Sequence, residues 1–110
     1  MNPQPGDVWT ADLGYAAKVR PVVVVSRFDP DPPRALVIYV PVTSQNRGSP
    51  YEIVLPKTRF LQPNSVANVQ GLGSLPTVRL ARKPGVLTPE ALNQIKKAIV
   101  WAMQLDVGGS

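Results

Sequence analysis

The chain has 110 residues, with 12 Lys+Arg against 7 Asp+Glu for a formal net charge of +5, and it contains 13 prolines but no cysteine and no histidine. That length predicts one domain, residues 1–110, because two separate cores would each be too small to be comfortably stable. Without Cys or His there is no disulfide, no thiolate nucleophile, no Cys- or His-ligated metal and no imidazole acid–base pair. Any enzyme built on this chain must work with Arg, Lys, Thr, Ser, Tyr or a carboxylate, and no metal or cofactor is expected. The positive charge suits a polyanionic partner, although on a small domain it also serves solubility alone. The N-terminus, Met1 to Asp7, has neither a basic n-region nor an apolar h-region, and no apolar run is long enough to cross a bilayer, so a cytoplasmic location is expected.

Proline and glycine divide the chain into short apolar runs. Residues 7–13 alternate after Pro5-Gly6 and predict a first strand. Val19 to Ser26 carries four consecutive valines, the pattern of a strand buried on both faces, with Pro21 tolerable near its end or on an edge. Asp29-Pro30-Asp31-Pro32-Pro33 cannot pair in a ladder and predicts a loop. Ala35 to Val42 is a third strand interrupted by Pro41, and Tyr51 to Leu55 a fourth that stops at Pro56. Asn64 to Gln70 predicts a weaker fifth strand, and Thr77 to Arg82 a sixth that ends at Lys83-Pro84-Gly85. Six short strands separated by turn signals predict a mainly β (α+β) fold, a small barrel or open sandwich.

A helix follows. Thr88 is a good N-cap, Pro89 fits the first helical position and Glu90 suits the positive N-terminal end. Leu87 and Leu92 form a hydrophobic staple. Leu92, Ile95, Ile99 and Ala102 make one apolar face, with Lys96 and Lys97 pointing away. Val100, Trp101 and Met103 widen the apolar surface, for packing or for a subunit contact. Residues 106–110, ending Gly108-Gly109-Ser110, read as a frayed tail.

Two stretches place polar groups where a strand should continue. In Lys18-Val19-Arg20-Pro21-Val22-Val23, Arg20 stands at the start of the most apolar strand, either snorkelling to solvent or presenting a fixed charge. In Pro41-Val42-Thr43-Ser44-Gln45, a strand empties into adjacent hydroxyls and an amide, either capping a turn or lining a site. The loop Leu13 to Lys18 lies beside Arg20; Tyr15 there could stack on a base and Lys18 hold a phosphate, or the loop could be plain surface. Arg47, Lys57 and Arg59 read as a solvated basic face.

Gly6-Asp7-Val8-Trp9, Lys18 to Val24, Pro41 to Ser44 and the closing helix occur in the order and approximate spacing of the MazF/PemK toxins, which the chain resembles over residues 5–105. The resemblance implies an SH3-like barrel with a C-terminal helix, a homodimer, and a metal-independent endoribonuclease that cuts single-stranded RNA and is held in check by a cognate antitoxin. Residue by residue, it makes Arg20 and Thr43 the catalytic pair, with Ser44 and Gln45 lining the same mouth. A nuclease of this kind needs no histidine, since RNA supplies its own 2′-OH nucleophile and the protein need only align it and stabilise the phosphorane charge.

One stretch departs from the resemblance. Where relatives carry an Asp-Gln-x-Arg pattern before Ser-Leu, this chain has Gln70-Gly71-Leu72-Gly73-Ser74-Leu75. Gln70 matches either the family aspartate or, with a shift of one residue, the family glutamine that touches RNA; an arginine is lost in both alignments. Gly71 and Gly73 mark a bulge or a close approach of backbone to a ligand. Two other functions stay open: a gyrase-inhibiting toxin of the CcdB type, which shares the fold and would use Trp101, and a family member that has lost catalysis but still binds RNA or antitoxin.

Overall fold

The computed structural model describes residues 2–14 and 19–105. Tyr15, Lys18 and the 106–110 tail lie outside the described residues. Seven strands precede one helix: β1 (Asp7–Asp12), β2 (Val19–Val24), β3 (Leu36–Thr43), β4 (Glu52–Val54), β5 (Val66–Asn68), β6 (Gly73–Pro76), β7 (Leu80–Val86) and α1 (Pro89–Ala102). All pairings are antiparallel and run in the order β4-β5-β3-β2-β1-β7, with β6 added on β3. The fold is thus mainly β with a C-terminal helix, but the path has two ends, β4 and β7, where a closed barrel would have none.

Three of the four valines behave as their pattern requires: Val22, Val23 and Val24 are wholly buried, Val22 in one core and Val23 in the other, whereas Val25 lies past the end of β2 and is half-buried. Val8, Val23 and Val40 face α1, whereas Ala11, Val22, Val37, Leu75 and Leu80 form a smaller cluster on the other side, flanked by Trp9 and Tyr39. Both prolines sit where a ladder hydrogen bond is not needed. Pro21 pairs with β1 at Thr10 but lies beyond the β2–β3 ladder, which begins at Val22. Pro41 falls in the gap where β3 leaves β6, paired from Leu36 to Tyr39, and takes up β5 at Val42.

Three expectations are corrected. The predicted fifth strand is shorter, because Asn68 accepts from the Gln70 amide (3.1 Å) and turns residues 69–71 into a 3₁₀ turn. A strand not predicted, β6, then crosses the glycine-rich stretch. Thr77–Arg79 is a second 3₁₀ turn, and the last strand begins at Leu80 and continues through Lys83-Pro84-Gly85 to Val86. It tolerates Pro84 because it is an edge strand and bulged: Val8 pairs with Gly85 and Thr10 with Arg82, leaving one extra residue on β7.

Helix α1 starts as predicted, with Thr88 Oγ1 accepting from the Ala91 amide (3.2 Å) and Pro89 in the first turn. Its buried stripe is Ala91, Ile95 and Ala98, with Leu92, Ile99 and Ala102 on the flank. Among the described residues no helix is long and apolar enough to cross a membrane.

The Gly6-Asp7-Val8-Trp9 stretch anchors this frame. Gly6 takes φ +94°, donates its amide to Val24 O and accepts from Leu87. Asp7 is buried; its carboxylate accepts from the Gln4 amide (2.9 Å) and Trp9 Nε1 (3.4 Å), with Lys83 Nζ 3.9 Å away.

Candidate active site

Beyond the apolar core, the ends of β2 and β3 open into a groove of about 780 Å³. The β2–β3 ladder ends with Val22 paired to Pro41, and the same register continued two residues past that end brings Arg20 level with Thr43. Arg20 keeps the side-chain parity of Val22, and Thr43 that of Pro41, so both project from the same side of the sheet. Arg20, Thr43, Ser44 and Gln45 all line this one groove, with Thr10 from β1, Pro84 from the edge strand β7, and Phe60, Leu61 and Ser65 from the loop before β5.

Arg20 is exposed, and among the described residues no carboxylate pairs with it. Thr43 is half-buried, and its Oγ1 accepts a hydrogen bond from the Gln45 amide (3.1 Å). That bond occupies a lone pair and leaves the hydroxyl proton free to donate outward. The same bond folds the chain back after β3, so that Gln45 faces the groove.

Gln70 is not in this groove. It lies on the 3₁₀ turn after β5, in an adjoining pocket of about 470 Å³ that shares Thr43 and Gln45 with the first. This second pocket adds Arg47, Tyr51, Glu52 and Asn68, none of which the sequence reading placed at a site. One signal was available: Ser49 and Glu52 have the Ser-x-x-Glu spacing of a reciprocal cap, and here Glu52 Oε1 accepts from both the Ser49 amide (3.0 Å) and Oγ (2.8 Å). These bonds, with those from the Arg47 amide, hold the Glu52 carboxyl below its ordinary range; the Ser49 and Arg47 backbone contributions are the largest.

Both glycines of the divergent stretch abut β3. A Cβ on Gly71 would come 2.7 Å from Pro41 Cγ, and one on Gly73 would come 3.2 Å from Tyr39 Oη. The close approach these glycines permit is to β3 itself, next to the strand end that carries Thr43.

Sequence comparison with curated proteins returns no match. Among solved structures, the chain is similar to an endoribonuclease in complex with its cognate antitoxin from a mycobacterial species, at 27% identity over 96% of this chain and 99% of that one, TM-score 0.81. It is also similar to the Mycobacterium tuberculosis toxin MazF-mt6, at 27% identity over 92% and 99% of the two chains, TM-score 0.79. A MazE–MazF structure from Deinococcus radiodurans shares the fold at 21% identity, over 94% and 96% of the two chains, TM-score 0.80. The family model described as PemK-like, MazF-like toxin of type II toxin–antitoxin system matches residues 4–103. With that match spanning both strand-end motifs and the capped helix, the chain belongs to the PemK-like, MazF-like toxin family of type II toxin–antitoxin systems.

Proposed function

We propose that this chain is a toxin endoribonuclease that cuts single-stranded RNA at Arg20 and Thr43. The observation that carries this reading is their convergence: an exposed guanidinium and an outward-donating hydroxyl at adjoining ends of β2 and β3, in one open groove. The substrate 2′-oxygen attacks the adjacent phosphorus, forming the 2′-O–P bond as the P–O5′ bond breaks. The 2′-OH proton is lost, a proton reaches the leaving 5′-oxygen, and the products are a 2′,3′-cyclic phosphate and a 5′-OH. Arg20, with a pKa above about 12, is a poor base; it serves by paired hydrogen bonds to the phosphoryl oxygens as charge develops. Thr43 donates to a phosphoryl oxygen or relays a proton, and Ser44 and Gln45 hold the strand against it. Tyr15 and Lys18, close to Arg20 in the sequence, supply a stacking face and a phosphate contact.

The same reading includes a homodimer and an antitoxin. Val25, Ile38, Leu72, Ile99, Val100 and Met103 border an apolar depression of about 350 Å³ between α1 and the sheet, which a second copy would cover. An antitoxin with an acidic, disordered tail fits the Arg20 groove of a chain with a net charge of +5. Purified protein should cut an unstructured RNA in EDTA, with end mapping showing cyclic phosphate and 5′-OH termini. Arg20→Ala should abolish cutting while leaving the thermal midpoint unchanged, and full activity in that variant overturns the assignment.

A further inference from the structure

The pocket beside the groove contains a device that the cleavage reaction does not use. Glu52 and Asn68 are direct cross-strand partners on β4 and β5, so their side chains stand next to each other on one face. Each is half committed. Asn68 Oδ1 accepts from the Gln70 amide (3.1 Å), which fixes the side chain with its NH₂ group as the part left to donate. Glu52 Oε1 takes three hydrogen bonds, from the Arg47 amide (3.2 Å), the Ser49 amide and Ser49 Oγ, whereas Oε2 takes one, from Arg47 (3.1 Å). What remains is an acceptor beside a donor, against the ring of Tyr51, in about 470 Å³. That volume lies within the range of small-ligand sites, about 300–1,000 Å³. Tyr51 is in turn held edge-to-face by Trp101 of α1, ring centroids 5.0 Å apart.

We propose that this pocket reads one base of the substrate strand, next to the cleaved phosphate, and that Glu52 determines which base. An acceptor beside a donor is complementary to a Watson–Crick edge that sets a donor beside an acceptor. The amino bases adenine and cytosine present that pair in one order and the keto bases guanine and uracil in the reverse order, so with the strand direction fixed by the scissile phosphate the pocket takes one class over the other. Because the pocket shares Thr43 and Gln45 with the groove, a base seated in it belongs to the nucleotide flanking the scissile bond. Glu52 has a second part in the same selection. Its bonds to Arg47 and Ser49 hold the loop from Gln45 to Tyr51, with Gly48 at φ +72° and its amide on Asn46 Oδ1 (2.8 Å). Gln45 and Arg47 are thereby kept at the rim of the pocket. In that part Glu52 is a positioning residue.

This inference rests on RNA being the substrate, and its test separates the two. A randomised 2′-O-methyl RNA pool, which has no free 2′-OH and cannot be cut, is passed over the immobilised full chain and the retained strands are sequenced. The wild type should enrich one class, amino bases (adenine and cytosine) or keto bases (guanine and uracil), over the other about tenfold at one position. Glu52→Ala should lose that enrichment, and Glu52→Gln, which keeps the size but offers a donor as well, should reduce or shift it should the alanine variant fail to fold. Arg20→Ala should lower retention of every sequence and leave the enrichment as it was. No positional enrichment by the wild type, or enrichment for the same base that is undiminished in folded Glu52→Ala or Glu52→Gln, overturns the proposal. A wild type that selects the pool as expected but leaves unmodified RNA intact overturns the cleavage reading and supports this one.

Discussion

Replacing Gly71 by alanine tests whether the divergent glycine stretch serves the site. The added Cβ would sit 2.7 Å from Pro41 Cγ and 3.2 Å from Pro41 Cδ. Carbon–carbon contacts are comfortable at about 3.5–4.0 Å, so the turn or the ring must yield by about 0.8 Å. A flexible side chain would rotate away, but the pyrrolidine ring is tied to the backbone of β3 and can only carry the strand with it. Overpacking of this kind costs about 1–3 kcal/mol. Against it stands the smaller unfolded-state entropy of alanine, which stabilises by about 0.4–1 kcal/mol at a position without positive φ, as here. The net is a loss of about 1–2 kcal/mol, or a thermal midpoint lower by roughly 5–10 °C. Thr43 is two residues beyond Pro41, so the same shift should also slow cleavage by about tenfold or more, since misplacement by an ångström costs about a hundredfold. Circular dichroism melts and turnover of a short RNA reporter read the two effects. Gly73→Ala is the comparison: it meets the tip of Tyr39, which can move, and should do less on both counts. A Gly71→Ala protein that melts no lower and cuts no slower than wild type refutes the packing argument.

Thr43→Val keeps the shape of the side chain and removes the hydroxyl; kcat should fall about 10²–10³-fold, as for loss of one transition-state donor, while Thr43→Ser retains most of it. Steady-state kinetics on one RNA reporter distinguish them, and equal activity of the two variants removes Thr43 from the chemistry. Ile95 is wholly buried between α1 and the sheet, so Ile95→Ala should cost about 2–5 kcal/mol in urea denaturation, a large share of the stability of a chain this size. Acid should act through Glu52, whose pKa is lower folded than unfolded. The stabilisation of its loop is therefore complete above the ordinary carboxylate value and is lost as pH falls through the lower folded value. Base enrichment by the wild type should be flat through neutral pH and disappear only in acid, with no acid transition of that kind in Glu52→Gln.

How far the fold was legible depended on whether one strand or a pair of strands carried the signal. The valine run, the Thr88-Pro89-Glu90 cap and the alternation of β1 are local, and each formed close to where its pattern put it. β6 was invisible because Gly73-Ser74-Leu75-Pro76 has no strand propensity of its own; it is extended because Tyr39, Ile38, Val37 and Leu36 of β3 offer it a ladder. The continuation of β7 through Pro84 was hidden for the same reason, since only an edge position makes a proline acceptable there.

The site divides along the same line. Arg20 and Thr43 could be picked out because each breaks an apolar strand with a polar group, and a register set by the valines carries them to facing positions. Glu52 and Asn68 break no pattern: a glutamate beginning one short strand and an asparagine ending another are ordinary in sequence. Only the β4–β5 pairing makes them neighbours, and only the bonds to the Ser49 and Gln70 amides leave one offering an acceptor and the other a donor. The residues proposed to cut are thus those the sequence exposes, and the residues proposed to choose where to cut are those the fold assembles. Such a division would let the specificity of this chain be changed by substitution on β4, β5 and their loop without touching Arg20 and Thr43. Exchanging Glu52 and Asn68 together should therefore alter the preferred base at one position and leave the cyclic phosphate product unchanged.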